Sequence, residues 1–175
     1  ANFVTWAVTG SSHSEIYGAA VRGTILKRDL NRAIGESTPA GSTQAWVPTR
    51  SRIPFRYATN SAIVAIEKFI ENGTPLPKAS PMLVTDANVP TVARDSYGNA
   101  LGGLRLPDID VPIALDNGYC VTGGPCDFST VTKYIGTHVP FTKAVLDSLY
   151  PTHASYVNKY KTYAQTAVAQ GFLLQ

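Results

Sequence analysis

The 175-residue chain has little of several things: two cysteines, one methionine, three histidines, and charged residues at only 15%. Two cysteines fall short of the four ligands of a structural zinc site. Neither a CxxC nor an HExxH string occurs and His13, His138 and His153 lie far apart, so no resident metal is expected. Charge of one sign is scarce too, because 15 basic against 12 acidic residues leave a net charge of +3 without any block of like charge. Neither nucleic acid nor an anionic membrane surface is therefore an expected partner. No run approaches the roughly 18 consecutive apolar residues of a membrane helix, and the first residues lack a basic stretch followed by an apolar one. No Walker-A lysine accompanies the glycine-rich stretch near residue 100, and no cofactor is expected.

What is present is a chain with 44% hydrophobic residues, 14 glycines and 12 prolines. That composition describes a folded, loop-rich protein with one domain as the prior. The first residue is Ala1 rather than Met, which raises the expectation of a processed or partial chain with something upstream. Cys120 and Cys126 lie six residues apart among Gly118, Gly123, Gly124 and Pro125, where either a small disulfide-closed loop or two buried thiols would fit. Asn72-Gly73-Thr74 is an N-glycosylation sequon. With nine tyrosines and a candidate disulfide, it leans toward a secreted or periplasmic protein.

The run from Asn2 to Thr9 is β-branched and aromatic on both faces and stops at Gly10, which predicts a buried strand. A strand without a polar face needs neighbours on both sides, and a parallel sheet covered by helices is its usual home, so the fold class is α/β. From Ser11 to about Phe55 the signals predict mostly loop, with one short helix around Ile25, Leu26, Leu30 and Ile34. The apolar stripe Ala62, Ile63, Ile66, Phe69, Ile70 predicts a helix from about Tyr57 to Asn72, stopped by Gly73 and Pro75. Short strands such as Met82 to Val84, Thr91 to Ala93 and Val111 to Leu115 follow between Asp/Asn/Gly turns. Two helices, Phe141 to Leu149 and His153 to Gln170, close the chain.

His13 is the first candidate for chemistry, because it lies three residues past the glycine that ends the opening strand, among Ser11, Ser12 and Ser14. A loop after a sheet strand is where α/β enzymes present such a group, although a surface imidazole satisfies the same pattern. Glu15 is either its partner or a solvated carboxylate. No serine stands in a G-x-S-x-G elbow, and neither cysteine has the strand-to-helix setting of an activated nucleophile, so the chain shows a base without a nucleophile. Arg94 to Pro107 reads as a tight turn held by Arg and Asp pairs. His153 reads as a capping or surface residue, and His138, before Val139-Pro140, as a loop residue without a visible partner.

Four strings together resemble a known family. Trp6-Ala7-Val8-Thr9-Gly10-Ser11-Ser12-His13-Ser14-Glu15 resembles the Gly-Thr-Ala-His-Ala-Asp loop of a group of large α/β-hydrolase domain proteins, with Ser12 and Glu15 as conservative departures. Arg94 to Pro107, continued by Asp110-Val111-Pro112, resembles that group's Arg-Asp-x-x-Gly-Asn-Ala-x-Gly-Gly-x-Arg-x-Pro element. Phe69 to Pro77 and Val139 to Phe172 resemble its helix-ending and C-terminal elements, in the same order.

The resemblance implies the C-terminal part of a serine esterase-type hydrolase. Its partner would be the N-terminal part carrying the nucleophile serine and the acid, and its substrate a small-molecule ester. Residues 1–80 would be the C-terminal part of the hydrolase core, 81–135 an appended β-rich segment, and 136–175 helices packing on the same domain. His13 would be the catalytic base of a Ser-His-Asp/Glu triad, and the helix after Tyr57 would pack on the missing sheet. Tyr17 and Trp46, with Phe55, are candidate substrate-pocket walls, and ordinary packing explains them equally well. The alternative function is a non-catalytic structural or binding protein on a hydrolase-derived scaffold.

Overall fold

The computed structural model describes residues 3–13, 15–31, 50–86, 91–119 and 135–175. Its elements in chain order are α1 (Ile16–Leu30), α2 (Phe55–Asn72), α3 (Pro107–Asp110), β1 (Ala114–Asn117), β2 (Thr137–Pro140), α4 (Lys143–Leu149) and α5 (His153–Ala169). β1 and β2 pair antiparallel with Asp116 opposite His138, forming the one regular sheet among the described residues.

The helices begin and end where local chemistry dictates. Gly73 closes α2 in the left-handed region at φ 75°, its N–H donating to the Phe69 carbonyl at 2.9 Å. Thr142 caps α4, and Thr152 and Ser155 form a reciprocal capping box at the start of α5. His153 is therefore an exposed first-turn residue of α5, and the capping is done by Thr152.

The core joins the beginning of the chain to its end. Ile53, Leu106 and Ile109 are buried together against Val8 and Leu173. Ala58, Leu104 and Phe172 form a second cluster with Trp6, Val8 and Ala79. Trp6 packs edge-on to Phe172 with ring centroids 5.1 Å apart, and its indole N–H donates to the Pro77 carbonyl at 2.8 Å. Ile109 is fully buried and central to the first cluster, so Ile109→Ala should cost about 2–5 kcal/mol. Urea unfolding should show a lower midpoint at unchanged slope, and a loss below about 1 kcal/mol would mean the cluster is loosely packed.

Three expectations are corrected. The opening run is not a strand buried in a sheet: Phe3 is 75% exposed, and its ladder pairing among the described residues is a parallel bridge from Val8 to Leu104. Thr9 N–H donates to the Leu104 carbonyl at 2.9 Å and Leu104 N–H to the Ala7 carbonyl at 2.8 Å, so the described chain supplies this segment with one short neighbour. The loop expected after Ser11 is helical over fifteen residues as α1. Its apolar residues are diluted by Gly18, Gly23 and Thr24, which blurs the helical period. The apolar stripe of α2, for which the resemblance implies a partner outside this chain, is left open: Ala58 and Ser61 are the buried residues of the helix, while Ile63, Ile66 and Phe69 are about half exposed and Ile70 is 76% exposed. Lastly, residues 137–140 are strand β2 rather than loop.

The β-rich character expected from Pro81 onward takes the form of isolated bridges, Met82 to Gly102, Val84 to Val92 and Arg94 to Ala100, ahead of β1. Within it the turn at Asp95 is built as the residues suggest. The Asp95 carboxylate accepts from the Tyr97 and Asn99 N–H groups at 2.9 Å, while Arg105 holds Asp110 at 2.6 Å.

Candidate functional site

His13 sits on a tightly framed loop. Gly10, at φ 71°, turns the chain after the Val8 bridge, and a side chain there would meet Ile109 Cδ1 at 2.7 Å, so sterics and backbone both demand glycine. Ser11 Oγ donates back to the Val8 carbonyl at 2.7 Å. Ser51 links the pieces: its Oγ donates to the Gly10 carbonyl at 3.0 Å, its carbonyl accepts from Ile16 N–H, and its N–H donates to the Ile135 carbonyl. Ser12 and Glu15 are buried while His13 is exposed, so the loop is anchored on both sides of the imidazole.

Glu15 is a structural carboxylate rather than a solvated one. It is 1% exposed, accepts from Gly18 N–H at 3.0 Å and pairs with Arg56 at 2.9 Å. The buried Arg50 lies within its field: burial pulls that guanidinium below its ordinary value, and the Glu15 carboxylate acts in the opposite direction. The Ser12 Oγ is buried without a hydrogen-bond partner among the described residues.

Beneath this loop lies a second histidine. Asp116 and His138 face each other across the β1–β2 pair, both about 95% buried, with His138 Nδ1 at 3.0 Å from each carboxylate oxygen. The reading of His138 as an unpartnered loop residue is thus corrected. The carboxylate also accepts from Arg52 N–H at 3.2 Å, and the fully buried Asn99 accepts from Asp116 N–H at 2.9 Å while donating to the Ala114 carbonyl at 3.1 Å. With a carboxylate as its partner, His138 Nδ1 is the donor of this contact. Gly136 brings the hairpin against the loop, since a side chain at that position would meet Ser12 Cβ at 2.9 Å. The two histidines thus belong to adjoining layers of one packed unit.

Tyr17 lies on α1, while Trp46, Cys120 and Cys126 fall outside the described residues. Asn72, the exposed last residue of α2, accepts from Thr74 N–H at 3.0 Å. Among the described residues no three of His, Cys, Asp and Glu gather in a way that could hold a metal ion. No described helix is long and apolar enough to cross a membrane.

The family model described as an alpha/beta hydrolase domain matches residues 1–175, the whole chain. The chain belongs to the alpha/beta hydrolase domain family. Comparison with the curated proteins found no match, and comparison with the solved structures found none. Membership in the alpha/beta hydrolase family points to hydrolysis as the class of chemistry. The described part of this alpha/beta hydrolase chain mixes five helices with a two-stranded sheet.

Proposed function

We propose that this chain is the C-terminal segment of a carboxylic-ester hydrolase and supplies the histidine of a Ser-His-Asp/Glu triad. The observation that carries the reading is the His13 loop: an exposed imidazole flanked by buried Ser12 and Glu15, just after the Val8 bridge, in a chain matched throughout by the hydrolase family. In this reading His13 takes the proton of a serine as it attacks the ester carbonyl, then returns it to the leaving alcohol. The acid that orients the imidazole, the serine and the oxyanion donors come from the N-terminal part of the hydrolase.

Three features support a partner outside this chain. The Phe3 end of the opening segment is exposed, the apolar stripe of α2 is uncovered by the described residues, and the Ser12 hydroxyl is buried without a partner among the described residues. The exposed Asn72 sequon supports a secreted or periplasmic location.

A second reading is favoured by the Asp116–His138 pair, which precedes in the order acid then histidine and already fixes Nδ1. There His138 would be the base and His13 a surface residue. The test is native purification, assay with p-nitrophenyl acetate, and denaturing intact-mass analysis. Ester turnover with a second polypeptide, or one far longer chain, bearing a G-x-S-x-G serine is expected. A lone, folded chain of this length without turnover would leave the non-catalytic scaffold as the function.

A further inference from the structure

A cavity of about 260 Å³ opens between α2, α3 and α5, and none of the residues assigned to ester chemistry lines it. Its walls include Leu106, Pro107 and Leu173, two tyrosine rings come from Tyr57 and Tyr160, and Asp108 contributes a carboxyl group. This composition is unusual in one respect. Asp108 makes no ion pair among the described residues: its carboxylate accepts from the Tyr160 hydroxyl at 3.2 Å and from its own backbone N–H.

A carboxylate brought into apolar surroundings without a counter-cation is costly, and a cation delivered to it recovers that cost. Burial indeed raises the Asp108 carboxyl above its ordinary value, against the pull of its own backbone N–H and of Tyr160; Asp116 adds to the rise and Arg56 opposes it. Arg56 does not fill the role, because its guanidinium is held by Glu15 at 2.9 Å and by the Tyr57 hydroxyl at 3.0 Å. It also stacks 4.4 Å from the centre of the Tyr57 ring, which shows that ring in use as a cation platform.

We propose that this cavity binds a small organic ammonium ion with an apolar body, of arylalkylamine type, with its charge on Asp108. The ammonium donates to the Asp108 carboxylate, and the apolar body lies against Leu106, Leu173 and the tyrosine rings. An inorganic cation would gain nothing from the apolar walls. A neutral alcohol of the same shape would gain the walls and not the charge.

The proposal is tested by titrating the full chain with benzylamine and, separately, benzyl alcohol at pH 7, followed by two-dimensional NMR. The expected result is that benzylamine binds at least tenfold more tightly and shifts the resonances of Tyr57, Asp108 and Tyr160. Asp108→Asn should remove the preference for the amine while leaving the alcohol unaffected. If that variant fails to fold, Leu174→Trp serves instead, because the partly exposed Leu174 lines the cavity and a larger side chain there should block both probes. Equal affinity for the two probes, absence of amine binding, or an amine preference that survives either substitution would overturn the proposal.

Discussion

Replacing His13 with alanine in the assembled hydrolase is expected to lower turnover of an activated ester by about 10⁴-fold or more while leaving thermal unfolding nearly unchanged. The two halves of this expectation have different origins. Turnover collapses because a serine hydroxyl at neutral pH is a poor nucleophile without a base to take its proton. Stability persists because the imidazole is exposed and the loop is held by other groups: Ser11 on Val8, Ser51 on Gly10, and Glu15 on Arg56. His138→Gln should show the reverse, with turnover within about tenfold of the parent and a clear loss of stability. Steady-state kinetics with p-nitrophenyl acetate, paired with a melting curve for each variant, separates the two histidines. A His13→Ala enzyme within tenfold of the parent would remove that residue from the mechanism, and a collapse of turnover in His138→Gln alone would move the base to the hairpin.

The second large effect concerns Asp116. Asp116→Ala is expected to destabilise the chain by about 2 kcal/mol or more, because truncation orphans the buried His138 Nδ1, at about 1–3 kcal/mol, and removes the acceptor of the part-buried Arg52 N–H. Against a total stability of about 5–15 kcal/mol this is a large fraction. Asp116→Asn should cost distinctly less, since its amide oxygen can still accept from both donors. Urea unfolding of the three proteins measures the series. An alanine variant no worse than the asparagine variant would mean that the carboxylate does not hold the hairpin to the Arg52 segment.

What the sequence makes legible follows from how far each signal reaches. α2, α4 and α5 are visible because they last long enough for a helical period, or carry terminators such as Gly73 and Gly171, and their observed limits fall within two residues of those expected. The position of His13 on a loop after Gly10 is legible as well, since glycine after a β-branched run marks a turn. The Asp116–His138 pair is not. Each of its strands is four residues long, too short for alternation to stand out, and the pairing spans 22 residues, 15 of them outside the described structure. The one local hint is that Asp116 and His138 each follow or precede a single apolar residue, Leu115 or Val139, near a glycine or proline, a pattern that many surface loops share.

The apolar stripe of α2 shows the limit of periodicity as a signal. Periodicity reports that a face is to be buried, not what buries it. Within the described chain the helix is held by Ala58 and Ser61, on a different face from Ile66 and Ile70. The expected partner of the stripe, sheet strands from outside this chain, is consistent with that exposure. The exposed stripe supports the proposed contact with the rest of the hydrolase.

The central claim is that His13 activates a serine carried by the N-terminal part of the same enzyme. Its most direct test is the rate of labelling of the natively purified hydrolase by a fluorophosphonate, compared between the parent and His13→Gln and read by intact mass. The account expects rapid labelling of one serine in the parent, in a polypeptide segment other than residues 1–175, and labelling slowed at least a thousandfold in the variant, about 4 kcal/mol of barrier. Labelling at equal rates in the two proteins, or no labelled serine in the parent, would contradict it.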